Sequence, residues 1–204
     1  MTFKKEWDDE MKKRVKLKDG SEVLIREMRK DDIDRSLAFF QALPKEDRAY
    51  LRRGVMDREI AARRIQAMES GRIMRLVAVV DDQIVADGAL ELEPPGWKEH
   101  MAEIRLIVAH QFQRRGLGTL MARELYLLAA SKKVEEIIVK IMGPQVGVQS
   151  IFKRLGFHPE AELHDYVKDI SGTKQDLIVM RCDLEELWQK LGDHLADSDW
   201  QRTR

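Results

Sequence analysis

Gln113-Arg114-Arg115-Gly116-Leu117-Gly118 lies between two stretches of different character. Before it, Ile104 to Val108 is apolar; after it, Leu117 to Ala130 is long and amphipathic. A strand that feeds a glycine turn and then a helix start is suited to hold a phosphate. Glycine has no Cβ, so the backbone can approach a bulky anion closely. The first N–H groups of a helix lack intrahelical partners, and the helix dipole adds positive potential at the same place. Arg114 and Arg115 put further charge at the mouth of the turn. The segment is neither of the common nucleotide motifs. It lacks the Gly-Lys-Ser/Thr ending of a P-loop, and it has too few glycines and no well-placed acidic partner for a dinucleotide fingerprint.

Working outward, Ala102 to Val108 reads as the strand before the turn, and Glu135 to Met142 as the strand entered from the helix after it. Met74 to Val80 and Gln83 to Leu92 form a hairpin around Asp81-Asp82. The loop Glu93 to His100 contains Pro94-Pro95, which block strand pairing. Val23 to Arg29 reads as the first strand, and Asp31-Asp32 is placed to cap a helix carrying Ile33, Leu37, Phe40 and Leu43. A second helical region runs from Pro44 to about Ser70, with a break near Gly54 to Asp57. Its arginines read as solvated faces paired with interleaved acids. Val148 to Leu155 is a short helix closed by Gly156. Tyr166 to Ile170 and Leu177 to Cys182 form a closing hairpin around Ser171-Gly172-Thr173. Residues 1–19 read as a charged N-terminal arm or helix, 20–182 as one mixed α/β (α+β) domain, and 183–204 as a C-terminal helix and tail.

The chain has 204 residues, the size of one domain with modest extensions. Lys+Arg 36 against Asp+Glu 36 leaves no basic excess, which argues against a general nucleic-acid binder. One cysteine excludes a disulfide framework. Met1 to Lys18 is too charged for a signal peptide, and no apolar run is long enough to span a bilayer. A cytoplasmic protein with no membrane partner is expected, and the choice between monomer and homodimer is open.

The Gln113-x-x-Gly116-x-Gly118 turn resembles the pantetheine-pyrophosphate loop of the GNAT acyltransferase superfamily, written Gln/Arg-x-x-Gly-x-Gly/Ala. The order β-α-α-β-β-β-α-β-α-β-β and Leu155-Gly156-Phe157 after a short helix are similar to that fold across roughly residues 20–182. The segments Asp19 to Arg26, Arg29 to Asp32 and Phe39 to Leu43 look like the GNAT domain of bacterial protein lysine acetyltransferases. The resemblance implies a mostly antiparallel sheet flanked by helices, acetyl-CoA as co-substrate, no metal, and an amine acceptor. A protein lysine is favoured over a small amine. A non-catalytic acyl-CoA-binding module is the reading of a different class.

Acyl transfer from a thioester to an amine requires an anchored donor, a polarised carbonyl, an amine that loses a proton, and a thiolate that leaves. The resemblance assigns the pyrophosphate to Gln113, Arg114, Arg115, Gly116, Leu117, Gly118 and Thr119, and the carbonyl to the backbone N–H groups of Leu106, Ile107 and Val108. It makes Glu103 the base. On a strand, Glu103, Arg105 and Ile107 share one face, and burial there is expected to raise the pKa of the carboxyl. The alternative is a salt bridge to Arg105 or Lys98. At the cofactor positions where many relatives have Asn and a proton-donating Tyr, this chain has Gln145 and Phe152. Phe152 cannot donate, which leaves Tyr166, solvent or the departing ammonium to protonate the thiolate. Cys182 reads as a core thiol, and the histidines show no metal-ligand spacing. Trp97 and His100 are candidates to line an acceptor cleft. An acceptor protein is expected to dock on residues 31–70, Arg52 and Arg53 included, and on 93–101.

Overall fold

In the computed structural model, residues 12–51, 54–132 and 134–185 are described. Among these, eight strands form one sheet in the order β1-β2-β3-β4-β5-β6-β8-β7. The strands are β1 (Lys12–Lys16), β2 (Glu22–Glu27), β3 (Ile73–Val80), β4 (Gln83–Leu92), β5 (Met101–Val108), β6 (Glu136–Met142), β7 (His158–Lys168) and β8 (Lys174–Asp183). The helices are α1 (Ile33–Ala42), α2 (Lys45–Arg48), α3 (Arg58–Gln66), α4 (Leu117–Ser131) and α5 (Val146–Arg154).

The neighbours are antiparallel except β5 and β6, which run parallel. Alternation along the strands divides the sheet into two faces. One face carries Leu76, Ala86, Leu90, Ile104, Ile137, Val139 and Met180, all buried against α4 and α5. Burying each of these larger apolar side chains stabilises the fold by about 1.5–3 kcal/mol. Gly88 of β4 lets α4 sit close: a Cβ there would meet Leu125 Cδ1 at 2.8 Å. On the other face, Phe39, Phe40, Leu43, Leu51, Ile65, Val77 and Ile84 form a second apolar cluster with α1 and α3.

The expected mixed, mostly antiparallel sheet with flanking helices is present. Three local expectations are corrected. Residues 12–16 are a strand paired with β2, not part of an arm or helix; residues 1–11 and the tail beyond Glu185 lie outside the described residues. Asp32 does not cap α1. Its carboxylate accepts bidentate bonds from Arg26 (2.6 and 2.8 Å) and one from the Arg29 N–H (2.8 Å), fully buried. Asp57 is the residue that caps a helix, accepting from the N–H groups of Glu59 and Ile60 at the start of α3. The third correction is β7, which begins at His158 rather than near Tyr166. As an outer strand it is largely exposed, so it lacks the alternation that marks a half-buried strand.

Candidate active site

The loop after β5 makes a short 3-10 turn at His110–Phe112 and then the glycine turn. Arg114 has φ +59° and Gly116 φ +92°, both left-handed, which tightens the chain into α4. No side chain caps α4. Its leading N–H groups therefore face outward with no partner from their own helix. At Gly116 a Cβ would meet only Lys18 side-chain atoms, 3.5 Å away, so the cradle is open. Gly118 has a different reason: a Cβ there would press on Ile151 Cδ1 at 3.1 Å, so its absence lets α4 pack on α5. A pyrophosphate fits these residues.

The turn is braced from two sides. The Lys18 N–H donates to Arg115 O (3.1 Å), and Arg115 pairs with Asp19 (2.9 Å) while its guanidinium lies 5.5 Å over the Phe112 ring. Arg115 is thus held by the β1–β2 turn, whereas Arg114 is exposed. Gln113 Nε2 donates to Val108 O (3.1 Å) and to Asp47 Oδ2 (3.4 Å), which ties the turn to α2.

The sheet opens beside this turn. β5 pairs with β4 over Ala102 to Val108, but with β6 only over Met101 to Glu103. Beyond Glu103 the two parallel strands diverge. Leu106, Ile107 and Val108, half-buried, line the β5 side of the gap.

Glu103 lies where the gap begins, on the face of the sheet away from α4, and is 6% exposed. Its Oε1 accepts from Arg105 Nε (2.9 Å) and its Oε2 from Lys140 Nζ (2.7 Å). Arg105 also pairs with Glu91 (2.6 Å), the residue directly opposite Glu103 on β4. The guanidinium thereby separates two carboxylates that would otherwise repel across the strands. The expectation of a raised carboxyl pKa is corrected. Burial does push it up, but the Lys140 hydrogen bond, the Arg105 charge and hydrogen bond, and the Lys140 charge together hold it below the ordinary glutamate value. Arg105 was an expected partner; Lys98 was not borne out and Lys140 was missed. The signal for Lys140 is a lone cation inside the apolar run of β6.

A second buried pair extends this polar strip. Asp87 on β4 accepts from Arg75 and lies 3.4 Å from Arg64, whose guanidinium sits 4.8 Å from the Phe40 ring centre. Arg64 is therefore not a solvated helix-face residue. Burial and the charge of Arg75 push its pKa down to about 10. Arg58 and Arg63, by contrast, are exposed; Arg63 pairs with Glu59 as read, whereas Arg58 pairs with Asp34 of α1 rather than with an interleaved acid. Arg52 and Arg53 lie outside the described residues.

Gln145 precedes α5, and its Oε1 accepts the Met142 N–H (3.2 Å). Phe152 is 2% exposed and packs edge-on against Phe157, so it belongs to the core rather than to a surface that a cofactor could touch. Tyr166 is exposed on β7, and Trp97 is fully exposed rather than lining a cleft. Cys182 is a buried core thiol. Strand pairing brings His164 together with Glu162 and Asp176, ligand atoms within 4.8 Å of one another, a grouping that linear spacing did not show.

A family model described as an acetyltransferase (GNAT) domain matches residues 22–158. The chain belongs to the GNAT acetyltransferase family. Solved GNAT-like structures share the fold at low identity. A ribosomal-protein-alanine N-acetyltransferase from Brucella melitensis is 21% identical, with a TM-score of 0.68 over 78% of this chain and 98% of that one. Mycobacterium smegmatis RimJ in complex with CoA-disulfide is 17% identical, with a TM-score of 0.71 over 86% and 88%. The GNAT domain of S. lividans PAT is 16% identical, with a TM-score of 0.69 over 87% and 99%. No curated protein matches the chain. As a GNAT protein it is an acetyl-CoA-dependent N-acetyltransferase. No described helix is long and apolar enough to cross a membrane.

Proposed function

We propose that this GNAT protein acetylates the side-chain amine of a protein lysine by direct attack on the acetyl-CoA thioester, with Glu103 as base. The observation that carries this reading is a buried carboxylate at the mouth of the β5–β6 gap, beside an uncapped helix start. The turn from Gln113 to Thr119 would hold the pyrophosphate. The N–H groups of Leu106 to Val108 would polarise the thioester carbonyl, acting where charge develops. Glu103, ionised at neutral pH, would take a proton from the incoming ammonium. With Phe152 in the core, the thiolate would take its proton from solvent or from the departing ammonium.

The preference for a protein lysine is supported by the resemblance of the segments 19–26, 29–32 and 39–43 to the bacterial protein lysine acetyltransferases, and the S. lividans PAT domain is among the similar folds. The test is turnover of purified protein with acetyl-CoA against lysine peptides, protein N-termini and small amines. Lysine peptides should give the highest kcat/KM. A preference for a small amine would replace the proposed acceptor. Binding of acetyl-CoA without turnover on any amine would support an acyl-CoA sensor instead.

A further inference from the structure

Lys140 Nζ lies 2.7 Å from Glu103 Oε2, the position that an acceptor ammonium must reach to give up its proton. Lys140 is on β6, the strand bordering the gap opposite Leu106 to Val108. Glu103 is in register with Ile138, so Lys140, two residues on, stands level with Arg105 where the strands separate. From there to the level of Ile107 is about 7 Å along the strand, within the swing of a flexible four-carbon stem. The Lys140 side chain is 40% exposed, against 8% for that of Glu103, so of the pair it is the one with open space beside it.

We propose that Lys140 is acetylated by the protein's own active site. The inference rests on the reading of Glu103 as base and of the β5–β6 gap as the thioester site. Glu103 accepts a proton from the Lys140 ammonium. The neutral Nζ attacks the thioester carbon, an N–C bond forms and the C–S bond breaks. The sulfur leaves as the CoA thiolate and takes up the second proton released from nitrogen, while Glu103 returns its proton to solvent. No oxidant or further reactant is needed.

The product differs from the starting state in charge. An acetylated Lys140 is a neutral amide, so Glu103 keeps Arg105 but loses the Lys140 cation. Both causes that Lys140 contributes to holding the carboxyl below its ordinary range, its hydrogen bond and its charge, disappear, and the Lys140 ammonium no longer competes with an external amine for Oε2. Self-acetylation would thus switch the site from a closed ion pair to an acceptor-ready state.

The experiment incubates the full chain with acetyl-CoA and no added amine, then reads acetyl occupancy at each lysine by peptide mass spectrometry. Lys140 should fill to about one acetyl per chain. Its rate should fall roughly 10²-fold or more in Glu103→Gln, the range of general-base losses, and should vanish in Gly116→Glu. Exposed lysines such as Lys132 and Lys153 should keep the same slow background in all three proteins. Either variant suffices if the other fails to fold. Absence of acetyl at Lys140, or an undiminished rate in the variants, overturns the proposal. If acetyl-CoA still raises the melting temperature and added lysine peptides are still acetylated, the proposed function survives that failure. If neither occurs, the proposed function fails with it.

Discussion

At the scale of single residues, Glu103 is held between two cations, and this sets what its removal should do. Glu103→Gln keeps shape but cannot accept a proton, so kcat for an added amine should fall by about 10²–10⁴-fold, with acetyl-CoA affinity unchanged. The loss should shrink as pH approaches about 10.4, where free lysine amine no longer needs a base. Lys140→Met removes two causes of the lowered carboxyl pKa, the hydrogen bond and the charge. Because the carboxylate must be ionised to act, the acid limb of kcat/KM should move to higher pH in that variant. An unmoved limb would show that Lys140 does not tune the base. The place of Glu103 on β5, on one face with Arg105 and Ile107, was legible because strand alternation is a local pattern; its reading as base came from the resemblance. Lys140 was not legible, because it meets Glu103 through a parallel pairing that joins residues far apart in the chain. The lowered pKa was hidden in part for the same reason: burial alone argues upward, and Lys140 acts together with Arg105 to reverse the sign.

At the scale of elements, the turn into α4 admits a direct test. Acetyl-CoA should raise the melting temperature by mass action. Gly116→Glu should abolish that rise by placing a carboxylate in the cradle, while Gly116→Asn, which tolerates the left-handed backbone better, should retain part of it. A full rise in a folded Gly116→Glu protein would put the pyrophosphate elsewhere. The strand β1 was hidden in the sequence because Lys12, Lys13, Arg14 and Lys16 give it little apolar signal. It is an outer strand, and charge is a common defence of a sheet edge. Behind β2, the buried Arg26–Asp32 pair anchors the entry to α1. Burial raises the Asp32 pKa, but the Arg26 and Arg29 hydrogen bonds and the charges of Arg26 and Arg35 lower it further, to a net value below the ordinary one. Its stabilisation is therefore full above the unfolded value, about 3.9, and is lost as pH falls through the lower folded value. Asp32→Asn should cost about 3–5 kcal/mol at neutral pH by leaving Arg26 buried and unpaired, and it should flatten the acid side of the stability curve. Denaturant unfolding as a function of pH measures both.

At the scale of the whole molecule, the β7–β8 turn reaches the glycine turn through α2, part of the stretch proposed to meet an acceptor protein. The Ile170 N–H, in the turn between β7 and β8, donates to Ala49 O (3.1 Å) just after α2. Asp47 of α2 in turn meets Gln113 and His110 beside the phosphate cradle. Occupancy of the cradle is therefore expected to alter acceptor affinity, and the reverse by the same factor, with typical couplings of about 5–150-fold. Ile170→Pro removes the donor and should bring the acetyl-CoA Kd values with and without acceptor peptide together. An unchanged ratio would mean that the coupling runs elsewhere. Apart from β1, the order of elements was legible, since it follows from periodicity and from the glycine turn before α4. The link between the β7–β8 turn and α2 was not, because it is a backbone bond between distant residues that leaves no side-chain trace.

The short ladder between β5 and β6 has a further consequence for solvent access. Among the described residues the five strands on one side pair with the three on the other only over Met101 to Glu103, extended by the His100 carbonyl, which accepts from the Glu135 and Glu136 N–H groups. In amide hydrogen exchange the two parts should open as separate cooperative units. The gap-side amides among Leu106 to Val108 should exchange early, because the divergence of β6 leaves them without a sheet partner on that side. A ligand seated between the strands should slow them and merge the two units into one, so the protection pattern reports whether the sheet is acting as one body or two.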